Sequence, residues 1–236
     1  MISVKGLTVK AGKKILLDNL SFDLEEGRIY ALLGENGSGK TTLLRTLSSS
    51  VRDYSGSITF SGKELRNTSR REREEFHSLL PQTLPFADIT VSSLLDIYPE
   101  GNVILSSFGL ENLKNERLTT LSGGEREMVF LSFVLSRKTM LYAFDEPEAN
   151  LDIRYRRIFE REIEKLKAMG RIVIVSFHDI SRALDIADSV ITLSSGRLES
   201  MESKSDFMSG ETAERVFGLR KRVLFASDGT EKVEFF

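Results

Sequence analysis

The sequence predicts an α/β fold: a parallel sheet with flanking helices, preceded by an antiparallel β region and interrupted by a small helical one. Three observations carry that prediction. Two continuous apolar runs, residues 140–144 and 172–177, have the length and composition of strands buried on both faces of a parallel sheet, and a helical stretch, 153–169, separates them as a crossover. Upstream, the strand-like run 29–33 passes through a glycine-rich turn into 42–47, where Leu43, Leu44 and Leu47 recur at helical spacing. The first third of the chain is otherwise strand-like, and this alternation of strands with helices is the signature of the α/β class.

Taken in order, residues 2–9, 20–24 and 29–33 are short and rich in β-branched and apolar side chains, with breaks at Gly6, Gly12 and Gly27. Residues 57–60 form a further strand closed by Ser61 and Gly62. The run 70–76 alternates charge sign and reads as a helix with a solvated face of mixed ion pairs. From 84 to 137 the pattern is helical, with one helix over 91–98, a break at Gly101 and Asn102, and a long helix over 125–137. A helix over 180–187, a strand over 189–193 and a turn at Ser194, Ser195 and Gly196 complete the core. Residues 216–236 read as a strand pair around Ser227, Asp228 and Gly229. No internal repeat is visible.

Composition narrows the function. With 33 basic against 35 acidic residues the net charge is −2, so no global basic field exists to hold a nucleic-acid backbone. The absence of cysteine excludes disulfides and thiolate metal sites and fits a reducing compartment. Residues 1–6 begin a strand rather than a signal peptide, and the longest apolar stretches, 128–135 and 172–175, fall far short of the roughly 20 residues of a membrane helix. A membrane role would be borrowed from a partner.

Residues 34–41 read GENGSGKT and fit G-x-x-x-x-G-K-[ST] at every fixed position. Gly34, Gly37 and Gly39 allow positive φ, so that the N–H groups of Glu35, Asn36, Ser38 and their neighbours converge on a β-phosphate. Lys40 brings a positive charge to the β- and γ-phosphates, the Thr41 hydroxyl ligates a magnesium ion (Mg2+), and Thr42 extends the cradle at a helix N-terminus. The motif predicts a P-loop NTPase core that binds ATP with magnesium.

Downstream, the apolar run 140–144 ends in Asp145, Glu146 and Pro147. Neighbouring strand residues point to opposite faces, so Asp145 is expected to face the metal shell and Glu146 an attacking water, the division of labour that hydrolysis needs. Leu121, Ser122, Gly123, Gly124 and Glu125 precede the long helix. Ser122 and Glu125 make a capping box, and the two glycines, which a cap does not require, suit a helix N-terminus that approaches a phosphate closely.

In this order, GENGSGKT, LSGGE and the strand ending in Asp145 and Glu146 resemble the nucleotide-binding subunit of ATP-binding cassette (ABC) transporters over nearly the whole chain. The resemblance implies that Gln82 contacts magnesium and the water, that Asn150, Leu151 and Asp152 cross a dimer, and that His178 senses the γ-phosphate. Alone, Gln82 is a polar loop residue and His178 a histidine at a strand end. The resemblance also implies that Leu121 to Glu125 serve the ATP of a second subunit, so the partner is a second copy or another cassette ATPase. It divides the chain into a β subdomain and P-loop core (1–82 with 138–215), a helical subdomain (83–137) and a C-terminal extension (216–236).

Leu79 to Gln82, His178 to Asp188 and Val216 to Leu219 further resemble importers of iron siderophores, haem or cobalamin. That implies integral membrane permease subunits, a substrate-binding protein, no nucleic acid, and a place on the cytoplasmic face of the membrane. Alternatives are an exporter ATPase, a cassette ATPase acting on DNA or ribosomes, or a clamp with little turnover. Three departures stand out: the aromatic that stacks on adenine in the family falls near Ala11, Glu148 replaces a threonine, and the segment from Gln82 to Ser122 is short.

Overall fold

The computed structural model describes residues 1–147, 152–225 and 231–235. Strands β1 (Ile2–Ala11) and β2 (Lys14–Leu24) form a hairpin, and β3 (Arg28–Leu33) leads into helix α1 (Lys40–Leu47). Strands β4 (Ser55–Phe60) and β5 (Lys63–Glu64), helix α2 (Arg70–Phe76) and strand β6 (His77–Leu80) follow. The helical stretch comprises α3 (Val91–Leu95), α4 (Glu100–Ser107) and α5 (Gly123–Ser136). The chain then alternates through β7 (Leu141–Asp145), α6 (Ile153–Ala168), β8 (Ile172–Ser176), α7 (Ile180–Ile186), β9 (Ser189–Ser194) and β10 (Arg197–Ser203). It ends in α8 (Lys204–Ser209), α9 (Thr212–Phe217), β11 (Lys221–Phe225) and β12 (Glu231–Phe235).

Two sheets make the frame. The first is antiparallel, ordered β2-β1-β4-β5; the second is ordered β10-β9-β3-β8-β7-β6, parallel from β9 to β6 with β10 antiparallel at one edge. The continuous apolar runs have a direct cause: their alternate residues feed two cores. Ile29, Ala31, Leu33, Phe144, Val173 and Val175 pack with α5, α6 and α7, whereas Tyr30, Leu32, Ala143, Ile172 and Ile174 pack with α1 and the antiparallel sheet. Phe144 meets Phe159 of α6 edge-on at 5.1 Å. Because β6, β7, β8 and β3 run parallel, the residues that follow them all emerge at one edge of the sheet, the place where α/β folds bind ligands.

The structure corrects several expectations. Strands β6, β5 and β10 were not foreseen; β6 is four residues long, follows α2 without a linker and gains its strand character from pairing with β7. The helix break falls at residues 96–99 rather than at Gly101 and Asn102, which lie inside α4. Gly101 belongs there because a Cβ would stand 2.9 Å from Leu95 Cδ2 of the helix packed against it. In the tail, Val216 and Phe217 end α9, and the strand pair begins at Lys221. Ser227, Asp228 and Gly229 lie outside the described residues.

Candidate functional site

The loop after β3 is shaped by its glycines. Gly34, Gly37 and Gly39 have φ of 155°, 81° and 107°. At Gly39, which caps α1, a Cβ would lie 2.7 Å from Leu17 Cδ2 in a backbone region that L-residues avoid. The Lys40 side chain, 6% exposed, folds back so that Nζ donates to the Gly34 carbonyl at 2.7 Å and to that of Glu35 at 3.5 Å. Burial pushes its pKa down, and the carboxylates of Glu146 and Asp145 oppose that shift. The α1 N-terminus has no acidic side chain in its own first turn to neutralise its partial positive charge.

Over this loop opens a cleft of about 470 Å³. Glu35, Asn36, Gly37, Gly39, Lys40, Thr41 and Thr42 of the loop and the start of α1 line it, together with Gln82, Glu146, Lys14, Ile15, Leu16, Ser195 and Gly196. Gly34 and Ser38 lie outside this lining, with Ser38 nearly buried and its carbonyl accepting from Gly196 N at 3.0 Å.

The carboxylate pair is arranged differently from strand alternation. Asp145 ends β7, is 3% exposed, and accepts from the Ser176 hydroxyl at 2.8 Å. Glu146 has already left the strand: its φ is +55°, a left-handed conformation costing on the order of 1–3 kcal/mol for a non-glycine residue, and its N–H donates to Ser176 Oγ at 2.9 Å. This turn aims the Glu146 carboxylate along the sheet edge. Gln82 Nε2 donates to Oε2 at 2.7 Å, and His178 Nε2 stands 2.7 Å from Oε1. Glu146 is thus held on both oxygens by residues following β6 and β8, the strands on either side of its own. A carboxylate fixed in this way at the cleft mouth is placed to accept a proton from a water.

Ser176, which joins Asp145 to Glu146, was missed by sequence reasoning; its signal was a hydroxyl ending an otherwise apolar strand. The residues expected to hold a cation offer only oxygens, from the Thr41 hydroxyl, the Asp145 carboxylate and the Gln82 amide carbonyl, whose nitrogen is committed to Glu146. Magnesium takes such a set together with phosphate oxygens and waters. No group of three acidic or histidine side chains placed to hold a metal ion occurs among the described residues, so a cation would rely on the phosphates for much of its shell.

Leu121 to Glu125 do not border this cleft. The capping box is formed: Ser122 Oγ accepts from Glu125 N at 3.3 Å and Glu125 Oε2 from Ser122 N at 2.9 Å, while Gly123 has open space where a Cβ would be. Ser122→Ala is expected to cost about 1 kcal/mol of stability, measured as a lower urea midpoint; an unchanged midpoint would deny the cap its role. Asp152 caps α6 through Tyr155 N at 2.9 Å; Asn150, Leu151 and Glu148 lie outside the described residues. Ala11 pairs with Lys14 in the β1–β2 hairpin and is absent from the cleft wall. The other histidine, His77, is half-buried in β6, with its pKa pushed down to about 4 by desolvation and by Arg137 and Arg73.

Comparison with known proteins points to one family. A family model described as ABC transporter matches residues 17–149. The hemin import ATP-binding protein HmuV of Shewanella denitrificans is 28% identical, with 97% of each chain covered. The ferric enterobactin transport ATP-binding protein FepC of Escherichia coli is 29% identical over 92% of this chain and 87% of its own length. Among solved structures, an ATP-binding subunit of an ABC transporter superposes with a TM-score of 0.80 at 22% identity, covering 92% of this chain and 93% of that one.

Proposed function

The chain belongs to the ABC transporter family, and from that membership we propose that it powers a membrane importer by hydrolysing ATP in sites completed by two copies closing face to face. It is an ATP-binding subunit and an ATPase whose turnover energises transport. The observation that carries the assignment of roles is Glu146, held by Gln82 and His178 at the mouth of the cleft over residues 34–41. Lys40 and the backbone N–H groups of the loop hold the β- and γ-phosphates, Glu146 takes the proton of the attacking water, and Gln82 and His178 fix the orientation of that carboxylate.

Thr41, Asp145 and the Gln82 carbonyl would hold magnesium, whose chemistry is to neutralise charge on the phosphates. Phosphate release is therefore expected to fall to less than about a tenth on chelation with EDTA and to return on adding magnesium; turnover indifferent to the chelator would contradict this.

The exposed Ser122 and Gly123, remote from the chain's own cleft, support their use on the nucleotide of a second copy. The helical stretch carries exposed Phe86, Ile97 and Val103, apolar surface suited to a permease subunit. Among the described residues no helix is long and apolar enough to cross a membrane, so the permease supplies the pathway and this chain sits peripherally at its cytoplasmic face. The cargo class is haem or a ferric siderophore, delivered by a substrate-binding protein, following the relatives with import functions. Reconstitution with a permease of that class in liposomes tests the proposal: ATP-dependent uptake of hemin or a ferric siderophore is expected, and co-purification with ribosomes without any stimulated uptake would overturn it.

A further inference from the structure

We propose that Ser176 is a positioning residue of the hydrolytic step: its hydroxyl holds Glu146 in the left-handed turn that aims the carboxylate between Gln82 and His178. This rests on the hydrolytic reading of the cleft. Ser176 does not line that cleft, so it acts on the reaction through Glu146.

Strand β8 consists of Ile172, Val173, Ile174 and Val175, all fully buried, and then Ser176, buried as completely. A further aliphatic side chain would fill a strand end covered on both faces without leaving a polar group to satisfy. A hydroxyl placed there must be paired, and its partners are at the two acids. Ser176 stands opposite Asp145 in the β7–β8 ladder. Its one proton goes to Asp145 Oδ1 at 2.8 Å, with the Phe144 carbonyl farther off at 3.5 Å, and its oxygen accepts from Glu146 N at 2.9 Å.

The bond from Glu146 N bears on the chemistry. Glu146 has φ of +55° and precedes Pro147, where the chain prefers an extended conformation. Without the hydroxyl that N–H loses its acceptor, and the backbone can relax toward the extended region. The carboxylate then swings off Gln82 and His178. A reacting group displaced by about 1 Å can lose about a hundredfold in rate.

The test is steady-state phosphate release and ATP binding for Ser176→Ala, Ser176→Thr and Glu146→Gln, with thermal melting as the check of folding. Ser176→Ala is expected to lower kcat by about ten- to a hundredfold while ATP affinity stays within about threefold. Ser176→Thr keeps the hydroxyl and is expected to stay within about fivefold of the parent kcat. On the Glu146→Gln background, Ser176→Ala is expected to cost less than about twofold more, because both changes disable the same base. Should the alanine variant melt low, Ser176→Cys fills the same space with a thiol that accepts only weakly, and the same loss of kcat is expected. The proposal is overturned by a Ser176→Ala kcat within about threefold of the parent beside an impaired Glu146→Gln, by a loss in ATP affinity in place of kcat, or by an undiminished further loss on the Glu146→Gln background. Glu146→Gln turning over at the parent rate would overturn the hydrolytic reading, and the proposal with it.

Discussion

Replacing Glu146 with glutamine is expected to lower ATP turnover by about a hundred- to ten-thousand-fold, the range supplied by a positioned general base and equal to about 3–5 kcal/mol of barrier. The substitution keeps the shape of the side chain. Its amide oxygen can still accept from Gln82, so the turn at Glu146 and the hydrogen bonds through Ser176 are expected to persist. What disappears is the capacity to take a proton, and ATP affinity is therefore expected to change little. Turnover in Glu146→Gln within about threefold of the parent chain would remove Glu146 from the chemistry.

The second large effect belongs to binding. Lys40 is the cation of the loop, buried among backbone carbonyls and depressed in pKa by that burial. Removing a charge from a buried, hydrogen-bonded pairing costs about 2–4 kcal/mol, so Lys40→Ala is expected to bind ATP about 30- to 1,000-fold more weakly. Titration of a fluorescent nucleotide measures this, with thermal melting alongside to show that the variant is folded. Tight binding retained by a folded Lys40→Ala would contradict the role given to the ammonium.

The loop and the fold class were legible in the sequence for a local reason. Each fixed position from Gly34 to Thr41 answers to chemistry or backbone conformation within eight contiguous residues, and the buried strands announce themselves as apolar runs because both faces are covered. The partners of Glu146 were not legible from the residues alone. Gln82 and His178 lie 64 residues before and 32 residues after it in this numbering, and only the order β8-β7-β6 makes them neighbours. The left-handed turn at Glu146, placed before a proline, contradicts local preference and is sustained by Ser176 across the sheet. Strands β6 and β10 carry mixed residues at a sheet edge, so their pairing rather than their pattern defines them.

The claim that the loop is half of a site completed by a second chain is tested most directly by the mass of Glu146→Gln in solution, by light scattering, with ATP and magnesium. Slow hydrolysis leaves the nucleotide-closed form to accumulate, so the mass of two chains is expected with ATP and of one chain without it. A single-chain mass at full ATP occupancy would contradict the account.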